Sequence, residues 1–107
     1  MTNYIVMFNI MIIPDEWKNI SDLFIALGDE QRQRILLSFE KGERLNILQI
    51  VASSKLSRTA VTHHLKILKQ SGALKSEKIG KEVFFWIDKQ HMIEHISAVL
   101  DYIEKEI

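Results

Sequence analysis

A mainly helical domain with one β-hairpin, of the α+β class, is predicted by three observations. Between residues 15 and 71, apolar residues recur at helical spacing in successive runs, each bounded by a capping residue or a glycine. The period then changes. Leu74 to Lys78 and Val83 to Ile87 flank Ile79-Gly80-Lys81-Glu82, and the second run, Val83-Phe84-Phe85-Trp86-Ile87, is β-branched and aromatic. A last run, from Lys89 to Glu106, returns to the helical period. Two of the helices meet at a short turn directly before the hairpin, so the elements assemble as a winged helix-turn-helix of five helices and a two-stranded wing.

Each element has its own start and stop. Residues 4 to 13 are almost all apolar and end at Pro14. Residues 1–14 are therefore expected to form an apolar extension at a subunit interface, and residues 15–107 the folded domain. Asp15 is placed to cap a helix over 16–27, with Trp17, Ile20, Leu23, Phe24 and Leu27 at helical spacing and Gly28 at its end. Asp29 caps the next, over 30–40, which buries Ile35, Leu36 and Phe39 and closes at Gly42. Asn46 caps a short third helix carrying Ile47, Ile50 and Val51. Ser57 caps a fourth over 58–71, which Gly72 ends. The fifth, over 89–106, sets Met92, Ile96, Val99, Leu100 and Ile103 on one side.

The net charge is zero, but its distribution is uneven. From Lys55 to Lys81 there are seven cations and one anion, which leaves seven cations and thirteen anions for the rest of the chain. A basic segment inside an acidic protein is the electrostatic footprint of a nucleic-acid face. The chain has no cysteine, which excludes disulfides, thiolate zinc sites and thiol redox switches. No uninterrupted apolar run reaches the length of a membrane span. The N-terminal apolar run also lacks the basic leader and small-residue cleavage site of a secretory signal, so a cytoplasmic protein is expected.

On a helical wheel of the fourth helix, Val61, Leu65 and Leu68 cluster on one side, with Ala60 and His64 at its edge. Arg58, Thr59, Thr62, His63, Lys66, Lys69 and Gln70 spread over the other. Hydroxyls, imidazole and cations suit base edges and phosphates. Arg58, Thr59, Thr62 and His63, near the N-terminal end, are expected at or near bases, and Lys66 and Lys69 on phosphates. Ser57 is placed both to cap the helix and to meet a phosphate near its positive end. His64 is expected to be a packed, hydrogen-bonded residue, and Ile67 to pack against the wing or the last helix. Lys78 and Lys81, beside Gly80 at the hairpin tip, can enter a minor groove or sit on phosphates. The partner these features call for is double-stranded DNA.

Three stretches resemble the ArsR/SmtB family of bacterial winged-helix repressors. Leu27-Gly-Asp-Glu-Gln-Arg-Gln-Arg-Ile-Leu36 is similar to the family's Leu-(Ala/Gly)-Asp-x-x-Arg-x-x-Ile-Leu. Leu56-Ser-Arg-Thr-Ala-Val-Thr-His-His-Leu-Lys-Ile-Leu68 is similar to its recognition helix, Leu-Ser-x-x-x-Val-Ser-His-His-Leu-x-x-Leu. Gly72 to Phe85 is similar to its wing. The resemblance covers about residues 17 to 106. It implies a homodimer built from the first and last helices, an inverted-repeat operator, and an inducer that lowers DNA affinity. It would place Trp17, Ile20, Phe24, Met92, Ile96, Val99, Leu100 and Ile103 at the dimer seam.

Many members of that family sense metals, and here the chain departs from them. The family's Cys-Val-Cys-Asp-Leu motif falls on Asn46-Ile-Leu-Gln-Ile50, without either cysteine. Its second metal site falls on Lys89, His91, Tyr102 and Lys105, of which only His91 is a fitting ligand. The resemblance thus implies a regulator with no cofactor, released by a non-thiol signal that the sequence does not name. A histidine-based metal sensor is an alternative, because His91 and His95 stand i, i+4 on one helix face. A winged helix that binds protein instead of DNA is the other. No glycine-rich phosphate loop, nucleophile elbow or complete metal-ligand set points to an enzyme.

Overall fold

The computed structural model describes residues 12–107, so most of the apolar extension lies outside the described residues. The chain enters through a 3-10 turn, Asp15–Trp17, and not through an Asp15 cap. The Trp17 N–H donates to the Pro14 carbonyl at 2.9 Å, and the regular helix α1 begins only at Lys18, running Lys18–Leu27. Helix α2, Glu30–Leu37, starts as expected: the Asp29 side chain accepts from the Arg32 N–H. It stops earlier than expected. The Ser38 hydroxyl donates to the Ile35 carbonyl at 2.6 Å, and the Phe39 N–H to Leu36 at 3.3 Å. These local bonds satisfy the last carbonyls and close the helix there. Phe39, beyond the helix, packs at the edge of the core.

Asn46 and Gln49 form a reciprocal capping box that opens α3, Ile47–Ala52. Helix α4, Arg58–Gln70, begins at Ser57, whose hydroxyl accepts from the Ala60 N–H at 3.1 Å. It ends in a left-handed turn. Gly72 has φ 84°, the Ala73 N–H reaches back to the Leu68 carbonyl at 3.0 Å, and the Gly72 N–H reaches Lys69 at 3.1 Å. The hairpin follows as β2, Leu74–Ile79, and β3, Glu82–Ile87. Helix α5, Lys89–Glu106, spans the predicted range, with Asp88 as its cap.

The wing has a strand that periodicity did not reveal. Residues Leu45–Asn46 form β1, which pairs antiparallel with β3 at Leu45↔Phe85 and Asn46↔Phe84. The sheet order is β1-β3-β2. The helix-turn-helix and the wing are therefore joined by backbone bonds as well as by chain connectivity.

The core collects Leu23 and Ala26 from α1, Ile35 and Leu36 from α2, Ile50 from α3, Val61, Leu65 and Leu68 from α4, and Leu74 and Phe85 from the sheet. Full burial of each such aliphatic side chain contributes roughly 1.5–3 kcal/mol. The stripe on α4 thus anchors one face of that helix and leaves the other to solvent. Helix α5 contributes no fully buried residue to this core, although Met92 packs at its edge. No helix among the described residues is long and apolar enough to cross a membrane.

Candidate nucleic-acid interface

Val61, Leu65 and Leu68 are almost wholly buried, which fixes the rotation of α4 about its axis. Ser57, Arg58, Thr59, Thr62, His63, Lys66 and Lys69 are all exposed, as are Lys78 and Lys81 at the wing. Four salt bridges occur among the described residues, and none involves Arg58, Lys66, Lys69, Lys78 or Lys81. Lys75 differs: its Nζ lies 3.8 Å from Asp88 Oδ2, which turns this cation back toward the base of α5. The basic segment therefore divides into one internally engaged lysine and a set of cations open to an anionic partner.

The start of α4 and the wing tip face a common hollow of about 210 Å³, lined by Asn46, Ile47, Leu48, Arg58, Lys81, Glu82 and Val83. Gly80 (φ 63°) makes the tight turn at the tip. Arg44 stacks 3.8 Å from the centre of the Trp86 ring, a cation–π contact, and also lies 4.0 Å from Glu77.

One residue at the edge of the buried face of α4, His64, is held by a side chain of α2. His64 is half-buried and meets an Arg32 Nη at 3.2 Å through Nδ1. A guanidinium only donates, so Nδ1 is the acceptor in this contact. The same Arg32 donates through Nε to the Ala26 carbonyl at 2.7 Å and through its other Nη to Ile25 at 3.2 Å. One side chain thus ties the C-terminal end of α1 to the recognition helix. Sequence reading marked Arg32 only as part of a motif; its partners lie on two other helices and leave no local pattern. Ile67 is partly buried and packs against the core. It lines a shallow hollow with Ile25 and Asp22 of α1.

On α5, His91 and His95 stack at 3.9 Å. His91 Nε2 bonds to the Ser71 carbonyl at 3.1 Å, and His95 Nδ1 to the His91 carbonyl at 2.7 Å. A carbonyl only accepts, so each of these nitrogens carries a proton, and any lone pair of the two rings lies on His91 Nδ1 and His95 Nε2. No group of three or more His, Asp or Glu converges as a metal site among the described residues. At the segment where the family's thiolate motif falls, Asn46 and Gln49 instead form the capping box of α3. With Asn46 and Leu48 at its two cysteine positions, the family's thiolate site has no metal ligands here.

The residues expected at a dimer seam divide in two. Ile20 is buried within its own chain, at 7% exposure, and Met92 packs at the core edge. Phe24, Ile96, Leu100 and Ile103 stay exposed, as do Ile25 and Ile93. Trp17, at the end of the 3-10 turn that leads into α1, meets Tyr102 of α5 edge-on at 5.2 Å.

A helix-turn-helix with one face locked in the core, an open polar and cationic face, and a hairpin beside it defines a winged-helix DNA-binding regulator. The family model for the bacterial regulatory protein, arsR family, matches residues 29–76. The cadmium resistance transcriptional regulatory protein CadC of Listeria innocua is 32% identical over 87 residues, 81% of this chain and 73% of that protein. A transcriptional repressor SmtB homolog of Synechocystis sp. is 26% identical over 91 residues, 85% and 68% of the two chains. An ArsR-like transcriptional regulator from Rhodococcus sp. RHA1 shares the fold, with a TM-score of 0.76 over 87% of this chain and 86% of that one at 24% identity. The chain belongs to the ArsR family of bacterial transcriptional regulators. Its relatives regulate transcription and are not enzymes.

Proposed function

We propose that the protein is a repressor that binds an inverted-repeat operator in double-stranded DNA as a homodimer, through the helix over 57–71 and the wing over 75–87. The observation that carries this reading is the set of exposed cations on α4 and the wing, Arg58, Lys66, Lys69, Lys78 and Lys81, that enter no salt bridge among the described residues. Arg58, Thr59, Thr62 and His63 take base edges, Lys66 and Lys69 take phosphates, and Lys78 and Lys81 take the backbone or minor groove beside them. Ser57 meets a phosphate while capping α4.

The exposed apolar face of α1 and α5 supports a two-fold dimer, since a lone domain gains nothing from leaving Leu100 57% exposed and Ile103 49% exposed. Two-fold symmetry presents two copies of α4 to the DNA, and a symmetric reader calls for a symmetric, inverted-repeat site. Such a protein works in the cytoplasm, beside the DNA. The cadmium named for the Listeria relative does not carry over, because Asn46 and Leu48 stand where the family's thiolates fall. The releasing signal is of a non-thiol kind.

Fluorescence anisotropy of the purified protein on its own upstream DNA and on a scrambled duplex, at two salt concentrations, tests the reading. Tight, selective binding that weakens steeply with salt is expected. Weak binding that is equal on both duplexes would favour a protein-binding module instead.

A further inference from the structure

We propose that Glu82, held by Asn46, is a positioning residue that aims the wing tip, so that Lys81 reaches the DNA backbone beside α4. The proposal rests on the reading of the wing as a DNA contact. Glu82 stands at odds with that reading at first sight. It is an exposed anion at the first position of β3, next to Lys81, and it lines the same hollow as Arg58 and Lys81. An anion facing phosphates weakens binding through repulsion unless it does something else there.

The hydrogen bonds show what else it does. Glu82 forms no salt bridge with Arg58 or Lys81; its Oε1 accepts from Asn46 Nδ2 at 3.0 Å. Asn46 is fixed from three further directions. Its Oδ1 accepts from the Gln49 N–H at 2.9 Å, its own N–H donates to Gln49 Oε1 at 2.8 Å, and its backbone pairs opposite Phe84. Glu82 lies two residues along β3 from Phe84, on the same face and diagonal to Asn46. The β1 ladder ends at that pair, whereas the hairpin ladder runs on to Ile79↔Glu82. The tip therefore projects as a bare two-stranded ribbon, which is marginal on its own. The Asn46–Glu82 bond is the brace that reaches past the end of the three-stranded part, and it anchors the ribbon to the helix-turn-helix.

The test uses the full chain and a duplex selected by the unchanged protein from a random library. Glu82→Ala, Glu82→Gln, Lys81→Ala and the Glu82→Ala/Lys81→Ala double variant are titrated across a salt series, and thermal unfolding is followed for each. Glu82→Ala is expected to weaken binding by about five- to tenfold and to lower the salt slope by about one, with an unchanged unfolding midpoint. Glu82→Gln keeps the accepting oxygen and loses only the charge, so it is expected to bind at least as tightly as the unchanged protein. Lys81→Ala should weaken the unchanged protein but add little to Glu82→Ala. If Glu82→Ala tightens binding as Glu82→Gln does, the residue is only a repelling charge and the proposal fails. If Lys81→Ala and Glu82→Ala weaken binding additively, the brace fails while the wing contact stands. If Lys81→Ala has no effect in the unchanged protein, the wing contact itself fails, and the brace with it.

Discussion

The Nε2–H of His91, on α5, donates to the backbone carbonyl of Ser71, at the end of α4, at 3.1 Å. The helix proposed to hold the dimer thus also holds the last turn of the recognition helix. The imidazole fits because residue 72 is glycine: a Cβ there would overlap the His91 ring, and φ at this position is +84°. Gly72→Ala therefore meets two separate penalties. The left-handed backbone costs an L-residue about 1–2 kcal/mol, and the clash with the ring adds to it. Denaturant unfolding should show Gly72→Ala to be destabilising, and less so in a His91→Ala background, where only the backbone strain remains. Equal losses in both backgrounds would mean that the ring moves aside freely.

On α4, phosphate and base contacts separate by their dependence on sequence. Lys66→Ala should weaken binding about equally on operator and random duplexes and reduce the salt slope by about one. Arg58→Ala or Thr62→Ala should lose roughly 1–3 kcal/mol of discrimination if the side chain reads a base. Anisotropy on both duplexes distinguishes these, and equal losses from Arg58→Ala would move that residue to the phosphates.

These outcomes track how much of the molecule was legible beforehand. The caps at Asp29, Asn46 and Ser57, the core stripe of α4 and the span of α5 are local features, written within a few residues, and each reads directly. Strand β1 is two residues long and has no period to detect; it exists because Phe84 and Phe85 lie opposite it. The helix start at Lys18 follows from a Pro14 carbonyl bond that competes with the Asp15 cap. Arg32 and His91 bond to groups outside their own helices, so their roles appear only once the helices are packed; His64 was expected to be packed and hydrogen-bonded, and only its partner, Arg32, was hidden. The polar outer face of α4 was legible as a candidate site because its apolar partner face was. The brace behind the wing was not, because Asn46 and Glu82 are 36 residues apart.

The apolar face of α1 and α5 gives a direct test of assembly. Leu100 is 57% exposed and lies outside the core cluster, so Leu100→Asp leaves the single-chain core intact. Sedimentation should show a dimer for the unchanged protein and a shift toward monomer for Leu100→Asp, and operator affinity should fall as the two copies of α4 come apart. A variant that stays dimeric would place the seam elsewhere.

The start of α2 carries an acid-sensitive cap. The Arg32 backbone N–H, donating to Asp29 Oδ1 at 3.1 Å, holds the Asp29 carboxyl below its ordinary value; burial opposes it, and the Arg32 side-chain charge and the Gln31 N–H, each a smaller effect than burial, act with the bond. A carboxylate with a lowered folded-state value favours folding above its unfolded value, and that contribution disappears as pH falls through the folded value. Asn at a cap accepts the same backbone bond without titrating. Asp29→Asn should therefore flatten the acid side of the stability profile, converging with the unchanged protein near neutral pH and resisting acid better below about pH 4. Thermal unfolding from pH 7 down to pH 3 would measure this. Parallel acid limbs for the two proteins would assign the acid sensitivity to carboxylates other than Asp29.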